Sequence, residues 1–266
     1  MILDTLAAAS KKRVEAAKEK VPMREMEKLA FGARRGSGGK EGSFSFEHAI
    51  SSPGISFICE VKRASPSKGI IAPDFPYVQI AKDYEAAGAD AVSVLTEPEY
   101  FLGKNSYLTE ISRSVSVPLL RKDFTVDPYQ IYEAKAIGAS AVLLICGLLD
   151  KKALKEGIRL CDSLGLSALA EAHDEKEIDF ALSAGARIIG VNNRNLKTFE
   201  VDFNNSIRLR KMVPPEVLFV AESGIKTEND IRRLAFAGVH AVLIGESLMR
   251  SPDKKKILDG FKGAAL

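Results

Sequence analysis

Apolar positions in this chain fall into a repeating pair of patterns: a stretch at helical spacing, then a short unbroken apolar run. The junction recurs as Ala87-Gly88-Ala89-Asp90-Ala91-Val92, Ile137-Gly138-Ala139-Ser140-Ala141-Val142, Ala184-Gly185-Ala186-Arg187-Ile188-Ile189 and Ala237-Gly238-Val239-His240-Ala241-Val242. In each, the glycine suits a left-handed residue just past a helix C-terminus. The Ala, Val and Ile run behind it reads as a strand buried on both faces, as parallel sheets require. Runs of this kind predict strands over residues 57–62, 91–96, 119–124, 141–146, 168–173, 188–193, 218–223 and 241–246, with helical patterns such as 128–137 and 151–164 between them. Eight parallel strands alternating with helices predict an α/β fold, a (β/α)8 barrel. An open doubly wound sheet would have fewer strands, and the Gly-x-Gly-x-x-Gly fingerprint such sheets often carry after the first strand is missing.

Ahead of the barrel, residues 4–20 are rich in Ala, Lys and Glu, and Leu3, Leu6, Ser10, Val14 and Ala17 share one helical face until Pro22 ends it. A second short helix is predicted over 23–30. The glycine-rich, basic stretch 32–40 reads as a mobile linker, because so many glycines make regular structure costly. Residues 1–50 thus form a helical extension and residues 51–266 the barrel.

Composition narrows the field without deciding it. The chain has 266 residues, 46% hydrophobic and 27% charged, which describes an ordinary globular protein. A formal charge of only +3 gives no general affinity for nucleic acid or membranes, so any anion site must be local. Cys59, Cys146 and Cys161 are odd in number and lack metal-ligand spacing, which points away from a disulfide framework and toward a reducing compartment. With no secretory leader pattern and no apolar stretch of about 18 residues, a cytoplasmic location is expected.

Barrel active sites lie at the C-terminal ends of the strands. There the chain offers Glu60 and Lys62 on the first strand, Lys122 on the third, Glu171 on the fifth, Asn192 and Arg194 on the sixth and Glu222 on the seventh. Period-two alternation can turn all of them inward. One such pair would read as a structural ion pair, and Asn192 and Asp123 as a turn residue and a helix cap. Inward lysines on two strands facing inward glutamates on three others would waste stability in a purely structural core. The last two strand ends, Glu222-Ser223-Gly224-Ile225 and Gly245-Glu246-Ser247, have the glycines that let backbone N–H groups approach phosphate oxygens. Of the histidines, His48 precedes the barrel, His173 reaches the rim of the site without an assigned role, and His240 is expected at the surface of the opposite end. Cys59 is expected to face the helices and be inert.

Taken together, Glu60-Val61-Lys62-Arg63-Ala64-Ser65-Pro66-Ser67-Lys68-Gly69, Leu120-Arg121-Lys122-Asp123-Phe124, Ala170-Glu171, Gly190-Val191-Asn192-Asn193-Arg194-Asn195-Leu196, Ala221-Glu222-Ser223-Gly224-Ile225 and Leu243-Ile244-Gly245-Glu246-Ser247-Leu248-Met249 resemble the signatures of the indole-3-glycerol phosphate synthase family. The resemblance spans nearly the whole chain. It implies ring closure of 1-(2-carboxyphenylamino)-1-deoxyribulose 5-phosphate with loss of carbon dioxide and water, by acid–base chemistry that needs no metal or redox cofactor. It implies Lys122 as principal general acid, Glu171 as general base or partner acid, and Lys62 as a second cation. Glu60, Asn192 and Glu222 would orient substrate and lysines. Ser65, Arg194, Ser223, Gly224, Gly245 and Glu246 would shape the phosphate side, and Phe124 with Leu143 or Leu144 would pack the aromatic ring. The N-terminal helices would lie across the catalytic face. A monomer or weak oligomer is expected, with association with other tryptophan-pathway enzymes left open. Phosphoribosylanthranilate isomerase, another phosphate-binding barrel, is the enzymatic rival, disfavoured by the two lysines. A non-catalytic phosphate-binding barrel is the rival of another class.

Overall fold

The structure, a computed structural model, describes residues 2–33, 43–195 and 198–265. Most of the expected linker and Leu196 lie outside the described residues. At the four repeated junctions Gly88, Gly138, Gly185 and Gly238 all take positive φ, from 77° to 99°, so each turns a helix end back toward the sheet as its sequence predicts. The strands that follow or precede them are β1 (Ser56–Val61), β2 (Ala91–Leu95), β3 (Leu119–Lys122), β4 (Ala141–Ile145), β5 (Ser167–Ala172), β6 (Ile188–Asn192), β7 (Leu218–Glu222) and β8 (Ala241–Ile244). They form a closed parallel barrel in which each pairs with the next and β8 pairs back onto β1.

Most strands stop a residue or two before the predicted end. At β3 the reason is local: Asp123 Oδ1 accepts the Phe124 N–H at 2.8 Å, so the backbone turns out of the ladder at Lys122. Between strands the helices start on side-chain caps that occupy otherwise unpaired N–H groups, as Asp127 does for α6 (Pro128–Ala136) and Asp174 for α8 (Glu175–Ala184).

Alternation divides the apolar side chains into two sets. Ile58, Leu120, Leu143, Leu169, Ile188, Val220 and Leu243 fill the barrel interior, whereas Phe57, Cys59, Val61, Val92, Val142 and Leu144 pack against the helices. Cys59 faces the helix layer as expected, and burial pushes its thiol pKa up.

The N-terminal segment reaches both ends of this barrel. In α1 (Ile2–Lys20), the buried Ser10 donates to the Phe124 carbonyl at 2.6 Å and Arg13 pairs with Asp123 at 2.8 Å, both just past the C-terminal end of β3. Met26 and Ala30 are the buried face of α2 (Met23–Gly32); with Val14, Met26 packs on Tyr129 of α6. By contrast α3 (Ser45–Ala49) sits at the N-terminal ends of the strands. There the Glu47 N–H reaches Ser167 Oγ at 3.2 Å, Glu47 pairs with Arg187, and Phe46 and Ile50 plug the interior. The described residues of this segment therefore do not lie on one face, because the apolar Phe46 and Ile50 close the open bottom of the barrel. His240 corrects another expectation: it is partly buried, and its Nδ1 accepts the Phe219 N–H at 3.0 Å, tying β7 to β8. Among the described residues no helix is long and apolar enough to cross a membrane.

Candidate active site

Past the C-terminal ends of the strands opens a cavity of about 750 Å³. Its lining includes Glu60, Lys62, Ser65, Lys122, Phe124, Glu171, Asn192, Arg194, Glu222, Ser223, Gly224, Gly245 and Glu246, so the structure brings together every residue that the sequence nominated. Leu143 lines it as well, while Leu144 points into the helix layer, since neighbours on a strand face opposite ways.

Lys122 sits at the centre. Its Nζ lies 3.2 Å from Glu171 Oε2 and 3.4 Å from Glu222 Oε2. Burial would favour the neutral amine, but Glu171, Glu222 and Glu60 overcome it and hold the ammonium pKa above its ordinary value. Glu171 is more fully enclosed, and burial pushes its carboxyl upward; Lys122, His173 and a hydrogen bond from Asn192 outweigh that and leave its pKa below the usual range. Glu222 goes the other way. Burial and the like charges of Glu171 and Glu60 push it up to about 8 despite Lys122. Its Oε1 is buried with no hydrogen-bond partner. The oxygen occupies the space a Cβ at Gly190 would need, which explains a glycine in the middle of β6. Lys122, Glu171 and Glu222 thus put an ammonium, a carboxylate and a carboxyl group that keeps its proton longer at one spot, the spread of proton affinities that acid–base work needs.

On the neighbouring wall Lys62 Nζ pairs with Glu60 Oε1 at 2.5 Å. A Cβ at Gly245 would approach that same oxygen to 2.6 Å, so glycine after β8 is what lets the loop lie against the pair. Ser223 and Gly224 are consecutive residues with positive φ, 67° and 80°, a strained turn that faces backbone into the cavity. Just after β1, Ala64–Ser65 and Gly69–Ile70 form a small antiparallel ribbon. Lys68 reaches from it to within 3.7 Å of Glu246, the first residue of the short helix Glu246–Arg250. Asn192 plays both parts open to it: it lines the cavity, and its Oδ1 accepts the Arg194 N–H at 3.0 Å in the turn beyond β6.

The indole-3-glycerol phosphate synthase family model matches residues 3–260. The chain belongs to that family. Its similarity to proteins named indole-3-glycerol phosphate synthase is high: 56% identity with one from Ruminiclostridium cellulolyticum, covering 100% of both chains, and 55% with one from Endomicrobium trichonymphae, covering 94% of this chain and 95% of that one. Solved structures share the fold at low identity. A 3-hexulose-6-phosphate synthase aligns with a TM-score of 0.65 at 12% identity, over 80% of this chain and 100% of that one. Thiamine phosphate pyrophosphorylase from Pyrococcus furiosus aligns at 0.59 and 15%, over 79% and 95%.

For an indole-3-glycerol phosphate synthase the cavity has a telling division. Leu95, Phe101, Phe124, Leu143 and Ile145, at the ends of β2 to β4, make an apolar patch, with the Phe101 and Phe124 rings 6.1 Å apart. Across the barrel, the glycine-bearing turns after β7 and β8 make a polar one. Leu6, Phe101 and Ile145 were not nominated from sequence. Leu6 carried a signal, since it shares the apolar stripe of α1 with the polar Ser10. Phe101 carried none: its loop is shaped by buried Glu97, which accepts the N–H groups of Glu99, Tyr100 and Phe101.

Proposed function

We propose a division of labour for the family's reaction in this cavity. The enzyme is a carboxy-lyase of tryptophan biosynthesis that closes 1-(2-carboxyphenylamino)-1-deoxyribulose 5-phosphate to indole-3-glycerol phosphate, releasing carbon dioxide and water. Ring closure puts negative charge on a carbonyl oxygen, which needs a proton; dehydration then needs one group to take a proton from carbon and another to supply one to the departing hydroxide. Lys122 is the acid of ring closure, an ammonium kept charged in a dry site. Glu171 is the base of dehydration, a carboxylate kept ionised beside it. Lys62 is the second cation, against the substrate carboxylate or as acid in one step, and Glu60, Asn192 and Glu222 orient lysines and substrate.

The apolar patch at Phe101, Phe124 and Leu143 suits the anilino ring. The opposite turns at Ser223-Gly224 and Gly245-Glu246, with Ser65 and Arg194, suit the phosphate. Leu6, Ser10 and Arg13 make α1 part of the site's cover, with α2 bracing it. Three buried free thiols fit a cytoplasmic enzyme. The observation that carries this reading is Lys122 Nζ between two buried carboxylates within a cavity that is apolar at one side and glycine-lined at the other. Glu171→Gln tests it: kcat for formation of indole fluorescence from the phosphorylated anilino-ribulose should fall roughly a hundredfold with KM little changed. A raised KM at parent kcat would count against the base role.

A further inference from the structure

Among the ionisable groups that this chemistry leaves unused, the half-buried His173 is in contact with it. Its Nε2 is buried without a hydrogen-bond partner and faces Glu171 Oε1 at 3.7 Å. The other side of the ring is held by Glu177, whose Oε2 lies 3.2 Å from Nδ1 and also accepts the His173 backbone N–H at 2.8 Å. The chain path dictates this. β5 ends at Ala172, Asp174 caps α8, and Glu177 in the first turn of that helix reaches back over the strand end. From α9 (Asn204–Arg210), Asn205 donates to the His173 carbonyl at 3.0 Å and fixes the backbone there.

A carboxylate can only accept, so Glu177 keeps the proton on Nδ1. The neutral ring would then turn a lone pair toward Glu171, whereas the imidazolium turns an N–H toward it. The acidic groups around His173 favour the second arrangement: Glu177 on α8 and Glu171 on β5 first, then Glu222 on β7 once it ionises, with Lys122 beyond Glu171. The Cys146 thiol, near the same carboxylates, is kept neutral by burial. Burial works against the ring's charge, but the carboxylates prevail and raise its pKa above the ordinary 6.5.

We propose that His173 is a positioning residue for Glu171: anchored by Glu177, its imidazolium holds Oε1 while Lys122 holds Oε2, fixing the plane of the carboxylate and keeping it ionised. The inference rests on Glu171 being the base. As pH rises through the titration of His173 the ring becomes neutral and one of the two holds is lost. Turnover therefore falls on the alkaline side while Glu171 stays charged.

The chain has three histidines, so their ring C–H signals can be followed by NMR in the whole enzyme and assigned by substitution. His173 should titrate above 6.5, and both Glu177→Gln and Glu171→Gln should move it down. His173→Gln should lower kcat about tenfold with KM nearly unchanged, and the alkaline fall should vanish from its kcat profile. His173→Asn, whose amide keeps the bond to Glu177, should fold and lack the alkaline fall too. A His173 titration unmoved in Glu171→Gln, or a His173→Gln profile superimposable on the parent's, would overturn the proposal. Parent-like turnover in Glu171→Gln would instead overturn the base assignment and this inference with it.

Discussion

Arg121 and Lys122 are adjacent cations in β3, the first buried and the second largely so, yet their surroundings could hardly differ more. Arg121 points into the helix layer, where Nε donates to Thr96 Oγ1 at 3.2 Å, Nη1 to the Gln130 carbonyl at 2.9 Å, and Nη2 to Asn105 at 3.1 Å and Glu133 at 2.6 Å. Lys122 points into the cavity toward Glu171 and Glu222, the second of which keeps an oxygen without a partner. Buried polar groups are almost always satisfied, and a fully met network holds one conformation. A cation with room beside it, facing an unmet acceptor, is organised for something that arrives later. Satisfaction, more than burial or charge, separates the structural cation from the chemical one.

The sharpest way to break that comparison is to remove each cation in turn. Lys122→Ala should lower turnover by roughly two to four orders of magnitude while circular dichroism and the unfolding midpoint stay near the parent's. Near-normal turnover would remove Lys122 from the chemistry. Arg121→Leu should do the reverse. It strands Glu133 and weakens the hold on Asp123 and Thr96, so unfolding in denaturant should show a loss of about 3–5 kcal/mol, with turnover of the folded enzyme close to the parent's. If stability were unaffected, the network would not be what fixes β3.

How far the sequence foretold this difference follows from the reach of each interaction. The inward set was legible because strand alternation is a local rule: given eight apolar runs, Glu60, Lys122, Glu171, Asn192 and Glu222 had to share one interior. The repeated glycine junctions made the eight runs legible in turn. The partners of Arg121 were not, because Asn105 and Glu133 come from two different helices and only packing angles bring them together. Asp123 was open to a reading as a helix cap for the same reason: its partner Arg13 lies 110 residues away in α1. Likewise α3 was not foreseen as an element, and its place at the bottom of the barrel could not be, since nothing local distinguishes the two ends as destinations for Phe46 and Ile50.

A subtler test acts on the unmet oxygen. Glu222 has a folded pKa raised to about 8 from an ordinary 4.5. A raised pKa contributes stability that is fully present below the ordinary value and is lost as pH climbs through the folded one. Glu222→Gln stays neutral throughout. Its stability relative to the parent should therefore grow between pH 5 and pH 8, by about 2 kcal/mol after discounting for the charge it shares with Lys122. A pH-independent difference would mean that Glu222 is ionised throughout and that the cluster is better satisfied than the comparison holds.

The smallest effect belongs to the residue that joins the two environments. Arg13 reaches from α1 to Asp123, which follows Lys122 in the chain and also accepts from Thr96 Oγ1 at 2.7 Å. Because Arg13 is partly exposed and Asp123 keeps Thr96 and, at 3.6 Å, Arg121, Arg13→Ala should cost only about 1 kcal/mol. Its signature lies in acid. Burial pushes Asp123 up, but Arg13, Arg121 and Thr96 together hold its pKa below the ordinary carboxylate value. A depressed carboxylate contributes stability that is present above its ordinary value and drains away as pH falls through the depressed one. Without Arg13 that pKa rises, so acid unfolding of Arg13→Ala should begin at higher pH than the parent's. KM should rise while kcat holds, since α1 closes over the cavity without touching the proton-transfer groups. A fall in kcat at unchanged KM would instead show that the satisfied network reaches through Asp123 to set Lys122, and the two cations would no longer be separable.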